Sequence, residues 1–302
     1  MKKRELINHY KTSKLSYILI FIIFIILVIL SFLYISYMKN LIYQNIYQNV
    51  KELSEQTATQ LNLSITDQKN IVSFMADNIN RGDFKKEEEI FEAFNHELEN
   101  YHFTRLVILD KQGNGITNDG FIVNDYPNME EFFGEQDVYL SENRPSTVSN
   151  NQVNIYSKKI IFNGKEKVLM ATINTADYKT ILLRKLFGKG GTYLINNSGS
   201  VLIDSFDNIK ESNANLYEYI KSRYNVTNKK ELKKIENMAN GIKNGLEDTF
   251  DLKIDGTTYF IHYEQVDINN WYVVTTASDS IIASELIRLV SITTIVFLGI
   301  SF

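Results

Sequence analysis

Ile108-Leu-Asp-Lys-Gln-Gly113-Asn-Gly-Ile-Thr-Asn-Asp119 and Leu194-Ile-Asn-Asn-Ser-Gly199-Ser-Val-Leu-Ile-Asp-Ser205 are one pattern written twice, 86 residues apart. Each ends an apolar strand, turns through an Asp or Asn followed by a Gly, and leaves in a second short run. A second pair supports the first. Ile161-Phe-Asn163-Gly164 and Lys253-Ile-Asp255-Gly256 each lie between two strand-like runs, at an offset of 92. Asn-Gly and Asp-Gly in that setting are strong hairpin signals. Repetition at a nearly constant offset predicts two similar antiparallel-sheet modules in tandem. They cover residues 101–189 and 190–279. In the second, Thr257–Tyr263 and Trp271–Thr276 read as strands around an Asp267–Asn270 turn, with Trp271 packed in the core. The stretch 213–248 reads as a charged helical insert whose Lys229–Lys234 run is a solvated face.

Upstream of the repeats, residues 40–80 contain no Pro and no Gly. Ile42, Ile46, Val50, Leu53, Leu61, Val72, Met75 and Ile79 recur at helical spacing. The spacing predicts a stalk helix of about 60 Å, stopped by Arg81-Gly82-Asp83. Ser64, Thr66 and Asp67 are weak helix formers and mark a potential break near 62–67. Lys85–Asn100 reads as a second amphipathic helix with Ile90, Phe91, Phe94 and Leu98 on one face, completing a stalk region over 39–100.

Further upstream, Leu15–Met38 is 24 residues without a charge. At about 1.5 Å per residue it spans roughly 36 Å, more than the hydrocarbon core of a bilayer. No small-x-small cleavage site follows it, so it reads as transmembrane helix 1 over 15–38. Residues 1–14 carry five basic side chains and one acidic; the remainder keeps 27 of the 32 basic and 35 of the 36 acidic residues, a net −8. The positive tail predicts a cytoplasmic N-terminus, with residues 39–280 outside the cell and lipid around the helix. A second uncharged stretch begins at Leu289, and 280–302 reads as the truncated start of transmembrane helix 2.

Composition excludes several classes. The chain has no cysteine, hence no disulfide framework and no thiolate metal site. Its acidic balance argues against nucleic-acid partners. No nucleophile elbow, zinc-protease helix or phosphate loop occurs in 1–302, so no catalytic residue is assigned. Phe187-Gly-Lys-Gly-Gly191 lacks phosphate-loop spacing. His9, His96, His102 and His262 are scattered, and neither a metal nor another cofactor is expected. The chemistry that remains is a binding pocket in the first module. Phe132, Phe133, Tyr139 and Tyr156 would supply aromatic walls and Arg144 a cationic anchor.

This layout resembles the double Cache sensor domain, and the resemblance covers 15–302. It is carried by Asn128-Met-Glu-Glu-Phe-Phe133 with Val148-Ser-Asn150, by Ile155–Ile161 with Lys167–Ala171, by Leu186–Ile195 with Asn197-Ser-Gly199, and by Asn270-Trp-Tyr-Val-Val274. It implies an α+β fold: a long N-terminal transmembrane and stalk helix, a membrane-distal and a membrane-proximal PAS-like module, then a second transmembrane helix. It implies the ligand-sensing region of a bacterial receptor that binds an unidentified small molecule and forms homodimers through the stalk helix. Members with this form of the Phe-Gly-x-Gly-Gly segment often precede diguanylate cyclases, so the resemblance implies cyclic-di-GMP signalling. Histidine-kinase and chemoreceptor sensor regions are the alternatives, and a membrane-anchored binding protein without signalling is the competing class. The sequence departs from the amino-acid-binding version of the family. Phe132 and Phe133 stand at its aromatic pair, no Arg precedes them nearby, and Asn174 stands where that version has an Asp. A ligand amine would lose its carboxylate partner there.

Overall fold

The computed structural model describes residues 2–82, 84–134, 136–147, 151–183, 190–205, 209, 214–223, 226–280 and 291–292. Most of the stretch read as a second membrane helix, together with Val148–Asn150 and Leu186–Lys189, lies outside them.

The first 80 described residues are one α-helix, α1 (Lys2–Arg81), about 120 Å long at 1.5 Å per residue. Among the described residues it is the one helix long and apolar enough to cross a membrane. The break anticipated near 62–67 does not occur. Leu61, Ile65 and Gln68 are buried there while Thr66 and Asp67 face solvent, so packing of the inner face overrides weak local propensity. The stop falls where expected, at Arg81. The predicted second helix is divided at Phe94 into α2 (Glu87–Ala93) and α3 (Asn95–Asn100), and its four apolar residues are all buried.

Two antiparallel sheets lie along α1. The first is built from β1 (Arg105–Leu109), β2 (Gly115–Thr117), β3 (Ile122–Val123), β4 (Tyr139–Leu140), β5 (Arg144–Pro145), β6 (Gln152–Phe162) and β7 (Lys165–Asn174). Its order is β3-β2-β1-β7-β6-β4, with β5 also paired to β6. A short 3-10 turn, Met129–Phe133, precedes β4. The second sheet has β8 (Gly191–Ile195), β9 (Val201–Asp204), β10 (Asp248–Ile254), β11 (Thr257–Val266) and β12 (Trp271–Ser278), in the order β10-β11-β12-β8-β9. The predicted helical insert is α4 (Leu216–Arg223) and α5 (Lys229–Lys243).

The two repeated turns are built alike. Asp110 Oδ1 accepts from the backbone N–H of Gln112 and Asn114, each at 2.9 Å. Asn196 Oδ1 does the same for Ser198 at 3.1 Å and Ser200 at 2.9 Å. A short polar side chain that mimics a backbone turn is why Asp and Asn stand there. The two hairpins also match. Asn163-Gly164 (φ 51° and 71°) and Asp255-Gly256 (φ 48° and 80°) both put two consecutive residues in the left-handed region. That backbone matches the right-handed twist of the strands it joins.

Contacts along α1 come in sequence order. Ser54 bonds Thr275 of the second sheet at 2.7 Å, and Asn62 bonds Asp267 at 3.1 Å. Further along, Gln68 accepts from Tyr156 at 2.6 Å, and Lys158 donates to Ser73 at 2.7 Å. The second sheet therefore sits nearer the apolar end of the helix. The stripe Ile46, Val50, Leu61, Val72, Met75 and Ile79 is buried in these contacts. That stripe holds the chain's own sheets and is not open to a second copy.

Candidate functional site

Strand pleating divides the first sheet into two faces. Leu106 and Ile108 of β1, Leu169, Ala171 and Ile173 of β7, and Tyr156 and Ile160 of β6 share a core with α1. Leu109, Val168, Met170 and Ile155 point the other way, into a smaller cluster with Met129 and Phe132. Above that second face lies a pocket of about 270 Å³. Register explains its floor: Arg105 pairs Thr172, Val107 pairs Met170, Ile155 pairs Thr172 and Val153 pairs Asn174. All of these line the pocket. The stretch between β2 and β6 folds back to supply the wall, with Val123, Tyr126, Pro145, Ser146, Thr147 and Asn151.

Of the residues singled out from sequence, Asn174 lines this pocket. Phe132 lies beneath it, buried, with edge-to-face contacts to Tyr126 at 6.0 Å and Tyr139 at 5.7 Å between ring centres. Phe133 packs at the rim of the same cluster, 5.7 Å from the Lys111 ammonium. Arg144 lies 5.3 Å above the Phe132 ring and does not stand free as an anchor. It makes a forked pair with Glu131, at 2.7 and 3.0 Å. Its Nε is buried without a partner. Tyr139 Oη donates to the same carboxylate at 2.9 Å. Tyr156 is on the opposite face, where its hydroxyl meets Gln68 and Tyr178. Expected in the pocket wall, Tyr156 is sent into the core by alternation along β6.

Arg105 and Thr172 were missed from sequence. A charge opening the apolar strand Arg105–Leu109 was the available signal for the first. Arg105 is paired with Asp119, which also accepts from Thr117 Oγ1. Burial pushes the Asp119 carboxyl up, but the Thr117 and Arg105 bonds and the guanidinium charge outweigh it and hold it low. Among the described residues no cluster of three or more His, Cys, Asp or Glu is placed to hold a metal.

The Glu131 network gives a pH signature. Burial pushes its carboxyl up, but the bonds from Arg144 and Tyr139 and the nearby positive charge more than compensate, so its folded pKa is depressed. The same contact and burial raise the Tyr139 phenol to about 12. A depressed carboxylate contributes stability above its unfolded pKa of about 4.3, and loses it as pH falls through the lower folded value. Denaturant unfolding from pH 7 to pH 3 is expected to show a decline of roughly 1 kcal/mol from this group, discounted for partial exposure. Glu131→Gln removes that component; an unchanged pH profile in the variant refutes the assignment.

The described architecture is a long helix carrying two antiparallel sheets, the first with a walled pocket. The chain belongs to the Cache domain family: the family model dCache_1 matches residues 37–286. Solved structures agree. The ligand-binding domain of the Campylobacter jejuni chemoreceptor Tlp3, in complex with 4-methylisoleucine, superposes with a TM-score of 0.59 at 14% identity, covering 79% of this chain and 93% of that one. The ligand-binding domain of the Pseudomonas aeruginosa amino-acid chemoreceptor PctC, with GABA, gives 0.57 at 13%, covering 76% and 99%. The extracellular domain assigned to a histidine kinase, mmHK1S-Z3, gives 0.57 at 14%, covering 82% and 98%. No curated protein matches.

Proposed function

We propose that the chain is the ligand-sensing region of a bacterial membrane receptor, and that the pocket on the first sheet receives the signal. The observation that carries this reading is the pocket of about 270 Å³ facing away from α1, a volume suited to a small molecule. In this reading residues 1–14 are cytoplasmic, 15–38 span the membrane, and each sheet with its helices is one PAS-like module outside the cell. Lipid surrounds the apolar part of α1. Two copies pair through the outward face of α1, since the inward face is occupied.

Connectivity supports a route to the membrane. The wall residues Pro145 and Ser146 follow Ser141 by a few positions, and the Ser141 carbonyl accepts from Asn269 Nδ2 at 3.1 Å. Asn269 sits in the turn that leads into β12. At the far end of β12, the Asp279 N–H donates to the Thr258 carbonyl at 2.8 Å, and Tyr43 Oη of α1 donates to Asp279 at 3.4 Å. A displaced wall would thus pull on the strand that runs toward 280–302. Coupling of about 1–3 kcal/mol is enough to change an output several-fold. That output is a cytoplasmic partner domain. A chemoreceptor or histidine kinase fits the structural neighbours, and a diguanylate cyclase fits the Phe187–Gly191 resemblance.

The test is a small-metabolite screen by thermal shift on the full chain in detergent micelles. Ligands found this way are expected to lose binding in Thr172→Phe, which fills the pocket. Ligands whose binding survives that substitution sink the reading.

A further inference from the structure

The Lys229–Lys234 run, expected from its sequence to be a solvated face, has a particular place in the fold. α5 lies antiparallel along β10. Glu231 Oε2 accepts from the Lys253 N–H at 3.0 Å, Lys234 Nζ donates to Asp251 at 3.3 Å, and Gly241 lies against Tyr263, the strand partner of Asp248. The first turn of α5 therefore stands level with the β10–β11 turn, Asp255-Gly256. Lys229, Lys230, Lys233 and Lys253 share this end of the module, all exposed and none in an ion pair among the described residues. The carboxylates around them are few. Asp255 is exposed at the turn itself, Glu231 is buried and paired with Lys234 at 3.3 Å, and Asp251 is held by the same ammonium. Glu236 stands a turn further along α5, away from this end. Cations in the first turn of a helix oppose its dipole, so the fold collects positive charge where the helix itself disfavours it.

With residues 15–38 spanning the membrane, this end faces the bilayer. Tyr43 of α1 is five residues beyond Met38, about 7.5 Å at 1.5 Å per residue. Its ring centre lies 5.5 Å from that of Phe260 in β11. From there β11 runs away from the apolar end of α1, since Asp267, just past it, meets Asn62. In the other direction, Phe260 back to Thr257 is about 10 Å of strand. The Asp255-Gly256 turn thus comes down to the level of Met38 and Lys39, where the uncharged run ends and the headgroup layer begins. Lys39 is a further exposed cation at that level. The chain after residue 14 is acidic overall, with 27 basic and 35 acidic residues, so this end is opposite in sign to the domain that carries it. A lysine close to an anionic bilayer strengthens its attachment about fivefold, an effect that fades within a Debye length. We infer that the basic end of the second module, Lys229, Lys230, Lys233 and Lys253, docks on anionic phospholipid headgroups. This inference rests on the membrane-spanning reading of 15–38 proposed above and goes beyond it, assigning the bilayer surface as a partner of the sheet module.

The chain has no cysteine, so Thr227→Cys, exposed just before α5, accepts a single nitroxide label. The full chain is reconstituted in lipid nanodiscs that contain a nickel-chelate lipid, and the collision rate of the label with headgroup nickel is read by electron paramagnetic resonance. Discs with about one-third phosphatidylglycerol are expected to give a rate at least about threefold above discs of phosphatidylcholine alone. The difference should vanish at about 1 M salt, where the Debye length is about 3 Å. Lys229→Gln, Lys230→Gln, Lys233→Gln and Lys253→Gln together are expected to abolish it; all four side chains are exposed, and thermal unfolding by circular dichroism checks that the fold is kept. Lys85→Gln, Lys86→Gln and Lys165→Gln, exposed in the first module, are expected to leave it intact. Equal collision rates in the two lipids overturn headgroup docking while leaving the span at 15–38. A label that meets no nickel in either disc overturns the level of the second module, and with it the membrane reading. A lipid effect that survives the four α5 and β10 substitutions, or that the first-module set removes equally, overturns the assignment to this end.

Discussion

Replacing Trp271 by Ala is expected to cost about 3–5 kcal/mol of stability, the range for deleting a fully buried aromatic side chain. Trp271 has no exposed surface and is the largest fully buried side chain. It opens β12 and belongs to a core that joins Leu194 and Val273 of the second sheet to Leu140 and Tyr156 of the first, with α1 between. The cavity would therefore open where both sheets and the helix share contacts. For a domain of this size the melting temperature should fall by roughly 6–20 °C. Trp271 is the sole tryptophan, so unfolding has to be followed by far-UV circular dichroism. Trp271→Phe should lose a smaller part of the same energy. A loss under about 1 kcal/mol for the alanine variant would show that the sheets do not depend on this shared core.

The second large effect concerns polar groups in that core. Gln68 Oε1 accepts from Tyr156 Oη at 2.6 Å and from Tyr178 Oη at 2.9 Å, and the two hydroxyls are 2.6 Å apart. Burial pushes both phenols up, so both remain protonated donors. Gln68→Leu keeps most of the volume but removes the acceptor that two buried donors share. The expected cost is about 2–3 kcal/mol. Combining it with Tyr156→Phe and Tyr178→Phe should restore part of the loss, because an apolar set leaves no donor stranded. Denaturant unfolding of the single and triple variants decides the matter. A triple variant less stable than Gln68→Leu by the sum of the separate phenylalanine changes would contradict a cooperative network.

The hairpins and the helix were legible in the sequence because their causes are local. Asn163-Gly164 and Asp255-Gly256 demand left-handed backbone wherever they occur, and the α1 stripe needs only a period. The extra break in the second helix, at Phe94, and the missing break at 62–67 follow from packing that no short window contains. The pocket was harder to read. Its floor combines β1, β7 and β6, and whether Arg105 meets Thr172 depends on a pairing between residues 67 positions apart. Tyr156 was assigned to the wrong face because an aromatic residue in a strand gives no sign of its parity until a neighbour fixes it. Arg144 was read as an anchor because its partner Glu131, 13 residues earlier, belongs to a turn whose course the sequence does not specify. Asn174 reaches the pocket because β7 ends there, beside Val153 of β6.

The two sides of α1 can change independently. Between residues 46 and 79 its inner side is committed to Val50, Leu61, Val72 and Met75 against the sheets, all fully enclosed. Its outer side carries Glu52, Gln56, Thr59 and Asn70 along with exposed Leu63 and Phe74. Substitutions on the outer side leave the packing of both sheets untouched. Drift on the inner side is penalised at once by unfolding. One rod thus separates a face that solvent leaves free to vary from a face that packing holds fixed.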